Sequence, residues 1–122
     1  MTTGLTTLES KSLDAPDETR PFSHGKLDVV NIGGTVVGRS TFEPGWKWSE
    51  CVKPIAGTDN CQATHLGYMI SGRMHVVMQD GTETELGPGD AAVIPAGHDA
   101  WIVGDETCIF LDFMGAAQYA KR

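Results

Sequence analysis

Residues 68–97 read YMISGRMHVVMQDGTETELGPGDAAVIPAG, and this stretch decides the fold. Short apolar segments are divided by Ser71-Gly72, Asp80-Gly81, Gly87-Pro88-Gly89-Asp90 and Ala96-Gly97, all strong turn formers. Asp80-Gly81, set between extended segments at 73–79 and 82–86, is a two-residue hairpin signal. Working outward, the same alternation of apolar runs and turn residues predicts strands over 27–31, 35–42, 46–52, 65–70, 91–95, 99–103 and 107–113. Helical turns are expected only at 5–10 and 116–122. No segment of this core sustains a 3.6-residue period over three turns, so the class is all-β, a sandwich or a barrel. Strand periodicity puts His65, Gly67 and Met69 on one face, and it points Met74, Val76 and Met78 inward, opposite the more polar set Arg73, His75, Val77 and Gln79.

With 122 residues the chain has the length of one domain. Nine basic and 16 acidic residues give a net charge of −7, which argues against nucleic acid or an anionic membrane as partner, since both require a positive footprint. No apolar run is long enough to span a bilayer. Residues 1–20 are rich in Thr, Ser, Asp and Glu, with no sustained apolar period, and read as a flexible arm ahead of a barrel domain at 21–122. They lack a positive n-region followed by an apolar h-region, which points to the cytoplasm.

Three cysteines are too few and too odd in number for a disulfide framework. Cys108, in the run CIFLDF, reads as a small buried hydrophobe. Cys51, Cys61 and His65 form a C-x9-C-x3-H spacing, a loop clamp for zinc that lacks a fourth ligand. A Cys51–Cys61 bridge is feasible in length but disfavoured in a reducing compartment.

From Pro44 to Phe113 the chain resembles the cupin superfamily of small jelly-roll barrels. The second family motif begins with a Gly, five residues and Pro-x-Gly, matched by Gly89, DAAVI and Pro95-Ala96-Gly97. The first ends with an acidic ligand, six residues and a Gly, matched in spacing by His65, LGYMIS and Gly72. The resemblance implies a cupin-like jelly-roll β-barrel with a small polar or anionic organic ligand held in it, and because short barrels of this type expose edges and apolar rims a homodimer is expected to cover them. The ligand positions depart from the family. His65 stands in the glutamate slot, Cys51 and Lys53 in the His-x-His slots, and Ala100 in the last histidine slot, with His98 two residues before it.

Two readings follow. In one, His65, Cys51 and His98 form a non-standard metal site, with zinc favoured over iron or manganese by the soft thiolate, and the protein is an enzyme. In the other, the barrel is a metal-free ligand-binding or sensing module in which His65 meets the ligand directly. A structural or partner-binding domain is a third class. Trp48, Lys53, His65, Met69, Met74 and His98 are the candidate ligand contacts. Trp46 and Trp48 share a face if extended and offer flat surfaces for stacking, or cap the core. A Lys53 aimed inward would select a carboxylate or phosphate. Met69 and Met74 would give an adaptable apolar lining. His75 and His24 read as surface residues. Asp112, an acid in an apolar strand, either finds a buried partner or faces out.

Overall fold

The computed structural model describes residues 4–117 and 119–121. Its strands begin and end at the turn residues. They are β1 (Glu18–Phe22), β2 (Gly25–Ile32), β3 (Thr35–Phe42), β4 (His65–Ser71), β5 (Met74–Met78), β6 (Glu83–Leu86), β7 (Ala91–Ile94), β8 (His98–Ile102) and β9 (Cys108–Asp112). Two short helices, α1 (Trp48–Cys51) and α2 (Lys53–Ala56), lie between β3 and β4, and 3₁₀ turns occupy Gly4–Thr6 and Gly115–Ala117. Of the helical turn expected over 116–122, residues 116 and 117 take part, and 118 and 122 lie outside the described residues.

The strands form two antiparallel sheets, one in the order β1-β2-β3-β9-β4-β7 and one in the order β6-β5-β8, and this is an all-β jelly-roll. The hairpin at Asp80-Gly81 sets Met74 opposite Leu86 and Val77 opposite Glu83. Gly72 makes the break between β4 and β5 with φ +76, and a Cβ there would stand 2.6 Å from the Cys108 Cα. A side chain would be excluded by both the backbone angle and the contact.

The inner faces of the two sheets share one core that includes Leu27, Val29, Phe42, Trp46, Trp48, Met69, Met74, Val76, Ile94 and Phe110. Along β4, His65, Gly67 and Met69 are buried while Leu66, Tyr68 and Ile70 are exposed. Met74 and Val76 are buried and Met78 is half-buried.

The segment 46–52 is not the strand expected. Lys47 is extended (φ −143, ψ 131) and makes a single bridge to Trp101, and the chain then turns into α1. The Asp99 carboxylate accepts the Ser49 N–H at 3.1 Å, which offers the first helical turn an acceptor that a strand partner would otherwise supply. The one extended residue is enough to bury Trp46 and Trp48 on the same side.

β1 starts at Glu18, inside the stretch read from composition as an arm, and pairs with β2 along its length. Arg20 is buried and donates to the carbonyls of Ala116 (2.6 Å) and Tyr119 (2.9 Å), so the first strand ties down the C-terminal turn. Among the described residues no helix is long and apolar enough to cross a membrane.

Candidate metal centre

Three segments distant in sequence converge inside the barrel. His65 opens β4, and strand alternation turns it inward with Gly67 and Met69. Asp112 ends β9 directly opposite Gly67, so its carboxylate stands beside the imidazole. His98 opens β8, whose His98, Ala100 and Ile102 all face the core. Cys61 lies in no strand. A single antiparallel bridge clips it to His98, with the Cys61 N–H donating to the His98 carbonyl at 2.8 Å and the Gly97 N–H to the Cys61 carbonyl at 2.7 Å.

Cys61 Sγ is 3.6 Å from His65 Nε2, and one donor atom each from Cys61, His65 and His98 lies within 4.8 Å of the other two. All three residues are buried. Both imidazoles are committed through Nδ1. His65 Nδ1–H donates to Asp112 Oδ2 at 2.5 Å, and His98 Nδ1–H donates to the Pro95 carbonyl at 2.6 Å. That leaves each Nε2 for the centre, the arrangement in which a carboxylate or carbonyl behind the ring fixes the tautomer of a metal-binding histidine. Asp112 is itself held, accepting the backbone N–H groups of Met114 (3.1 Å) and Gly115 (2.9 Å) through Oδ1.

The group suits a metal ion in chemistry and spacing. Zinc bonds of ~2.3 Å to sulfur and ~2.05 Å to nitrogen at a tetrahedral angle put the two donors about 3.6 Å apart, and the Cys61–His65 separation has that value. One thiolate and two imidazoles make a soft set of three, which would leave a zinc ion held there able to take a further ligand.

Charge in the ion-free site is arranged along the same line. Burial pushes the Cys61 thiol up, but hydrogen bonding to His65 and His98 and their charges overcome it and hold the pKa near 6. Burial pulls His65 down, and the Asp112 and Cys61 contacts reverse this and raise it to about 9. Burial opposes ionisation of Asp112, yet His65 and the two backbone N–H groups keep its pKa below the usual carboxylate value. All three shifts favour the charged forms, a thiolate, an imidazolium and a carboxylate in a row.

The cavity on the histidine side of this centre is lined by Trp46, Trp48, His65, Met74, His98, Asp112 and Tyr119 among others, with Cys61 outside its lining, and its free volume is about 30 Å³. That is room for an ion and a few further atoms. Tyr119 packs edge-on over His65, with ring centroids 5.4 Å apart.

The residues singled out from the sequence divide between this centre and other places. His65 and His98 meet at the centre, and Trp48 and Met74 line its cavity. Met69 is fully buried beside Cys108, its sulfur 3.3 Å from the Cys108 Sγ. Lys53 sits on α2, is 43% exposed and pairs with Asp59 at 3.7 Å. Cys51 lies at His24 instead, 3.8 Å from Nδ1. The thiol that joins the histidines is Cys61, four residues before His65. All three cysteines are free. His75 stacks on Trp101 and pairs with Glu83 at 3.0 Å, away from the core. Asp112 takes the buried, partnered role.

The cupin domain family matches residues 58–114. No curated protein sequence matches the chain. Among solved structures, the polyketide cyclase RemF from Streptomyces resistomycificus superposes with a TM-score of 0.62 at 19% identity, over 90% of this chain and 80% of that one. The oxalate decarboxylase of Lactobacillus farciminis, solved as a formate complex, gives a TM-score of 0.59 at 20% identity over 84% of this chain. This chain spans only 32% of that decarboxylase. A sugar phosphate isomerase of a cupin superfamily from Silicibacter pomeroyi gives 0.58 at 20% identity, over 85% of this chain and 73% of that one. Likeness at these identities speaks to the fold.

Proposed function

We propose that this chain is a metal-binding cupin whose centre is Cys61, His65 and His98, with Asp112 orienting His65; the cupin domain match over residues 58–114 and the shared fold support this reading. The observation that carries this is the convergence of three buried donor atoms within 4.8 Å. Zinc fits the sulfur and nitrogen donors better than iron or manganese. When bound, such an ion supplies a Lewis acid with one open position for a small polar or anionic molecule. The chain's residues hold Nδ1–H of each histidine turned away, keep Cys61 as thiolate and exclude bulk water. A reducing cytoplasm, where three thiols stay free, is the setting this reading assigns.

The test is elemental analysis of protein purified without chelator. About one equivalent of zinc is expected, lost in Cys61→Ala and in His65→Ala. Substoichiometric metal, with no rise in melting temperature on adding zinc, iron or manganese, would rule the reading out.

One observation favours a second, metal-free reading, a sensing module. Cys61 Sγ stands against His65 Nε2 at 3.6 Å while Asp112 holds Nδ1, so the three side chains can satisfy one another directly. Metal-free protein that binds no ion but loses one buried thiol to a mild electrophile would support it.

The homodimer expected from sequence is assigned to the outer face of the six-stranded sheet. There Leu66, Tyr68 and Ile70 of β4, Val93 of β7 and Phe113 after β9 are all exposed, and a two-fold pairing of such a face is self-complementary. Sedimentation of Tyr68→Glu, expected as monomer against a wild-type dimer, tests it.

A further inference from the structure

Among the described residues, three buried side-chain polar groups have no hydrogen-bond partner: Trp46 Nε1, Trp48 Nε1 and Tyr119 Oη. They belong to residues only 2%, 1% and 7% exposed. A native interior holds a few such groups, and here the three fall together. All three residues line one cavity, the one that contains His65 and His98. They come from separate places: Trp46 just before α1, Trp48 inside it, and Tyr119 from the C-terminal turn that Arg20 clamps.

The three groups share a chemical sense. An indole N–H only donates, and a phenol here has its hydroxyl hydrogen to give. A ligand that satisfies them must be rich in acceptors. Water has two lone pairs a molecule and would need at least two ordered molecules to meet three donors, whereas one carboxylate offers about four acceptor sites on two oxygens. Charge points the same way. A divalent ion held by one thiolate and two neutral imidazoles would keep a single positive charge toward a ligand, while the Asp112 carboxylate that balances it stands behind His65, its oxygens taken up by the ring and by two backbone N–H groups. Size sets an upper bound, because about 30 Å³ of free volume admits a few heavy atoms.

We infer that Trp46, Trp48 and Tyr119 form a donor cradle for a small carboxylate, seated between them and the open position of the Cys61–His65–His98 centre. This deepens the proposed function and rests on it for the ligand's charge complement. The cradle itself rests on the unpaired donors. It makes the three residues specificity determinants: a site built of donors rejects a neutral analogue that brings donors of its own.

The molecule has three tryptophans, and the third, Trp101, is half-buried against His75 and Lys47, outside the cavity. Indole N–H resonances in a ¹H–¹⁵N spectrum therefore read the cradle with an internal control. The spectrum of ¹⁵N-labelled full-length protein is recorded with zinc, then with acetate added, with acetamide as the neutral isostere. Peaks are assigned by Trp46→Phe and Trp48→Phe. Acetate is expected to move the Trp46 and Trp48 signals downfield and leave Trp101 in place, and acetamide to move none. Tyr119→Phe deletes only the unpaired hydroxyl. It should melt no lower than wild type, bind zinc as well, and bind acetate about tenfold more weakly.

Zinc binding with no acetate-induced shift at either indole would overturn the cradle and leave the metal centre standing. If zinc does not bind, the same titration on metal-free protein decides: shifts at both indoles uphold the cradle without the ion, and none overturns it. Equal acetate affinity in Tyr119→Phe would remove Tyr119 from the assignment.

Discussion

Cys61 and Cys51 each face a histidine at nearly the same distance, 3.6 Å from Sγ to His65 Nε2 and 3.8 Å from Sγ to His24 Nδ1. The difference lies behind the ring. His65 is buried and its far nitrogen is held by a buried carboxylate, with a second imidazole, His98, beside it. His24 is exposed in the turn between β1 and β2, its Nδ1 also 3.0 Å from the Ser23 hydroxyl, with no carboxylate bonded to it among the described residues. A thiol and an imidazole in contact are therefore not in themselves a site. What builds one is exclusion of water, a fixed tautomer and a third donor, and strand pairing supplies all three at Cys61.

The sharpest way to break this comparison is to remove each histidine in turn. His65→Ala is expected to abolish zinc binding, and His24→Ala to leave it stoichiometric, both by elemental analysis. Equal loss in the two would mean the pairs are equivalent. Cobalt(II) substitution asks the same of the thiols: the sulfur-to-metal absorption band should vanish in Cys61→Ser and persist in Cys51→Ser.

Asp112→Asn tests the group behind the ring while leaving every donor in place. Removing such a partner typically weakens metal affinity by about 10- to 100-fold, read by competition with a chromophoric chelator. In metal-free protein the same change should move the Cys61 thiolate absorbance step upward from its place near pH 6.

Gly115→Ala tests packing. A Cβ at Gly115 would stand 2.8 Å from both His65 Cε1 and the Thr64 carbonyl oxygen. Overpacking of this kind costs about 1–3 kcal/mol, and a lowered melting temperature together with weaker zinc binding is the expected result. An unchanged protein would mean that His65 is free to move.

The smallest effect is on the pH dependence of stability in metal-free protein. His65 is raised from 6.5 to about 9, so alone it would stabilise fully below pH 6.5 and lose that contribution as pH rises through 9. Cys61 is lowered from 9.0 to about 6, so alone it would stabilise fully above pH 9 and lose that contribution as pH falls through 6. Between pH 6.5 and 9 the pair binds one proton in both folded and unfolded states, and chemical denaturation should show a flat stretch there. Cys61→Ser unmasks the histidine, and stability should then fall with rising pH by up to about 1 kcal/mol per unit. A slope in the wild type would dissolve the ion pair.

Several parts of the site are legible in the amino-acid sequence. Counting back from Gly72 singles out His65, and alternation along β4 turns it inward. His98 stands two residues ahead of the family's histidine slot, now Ala100, and a two-residue offset in a strand keeps the same face. Periodicity thus allows His98 inside. Cys61 is visible only through its C-x3-H spacing to His65. Motif alignment points to Cys51, because counting along the chain takes no account of the two helical turns that carry residues 48–56 out of the extended path. Nor does composition place Arg20, whose bonds to Ala116 and Tyr119 join residues about a hundred positions apart.

The amino-acid sequence by itself determined the class and the turns, because glycine, proline and Asp-Gly pairs act on neighbouring backbone angles and need no distant partner. It also determined which residues of β4 and β5 share a face, since alternation is a property of a single strand. Which cysteine meets the histidines, how Asp112 is satisfied, and which donors are left unpaired were decided only by the tertiary structure. Each depends on registers between strands far apart in the chain: Gly67 against Asp112, Cys61 against His98. Local propensity carries no information about such registers, which are settled when the two sheets close over one core.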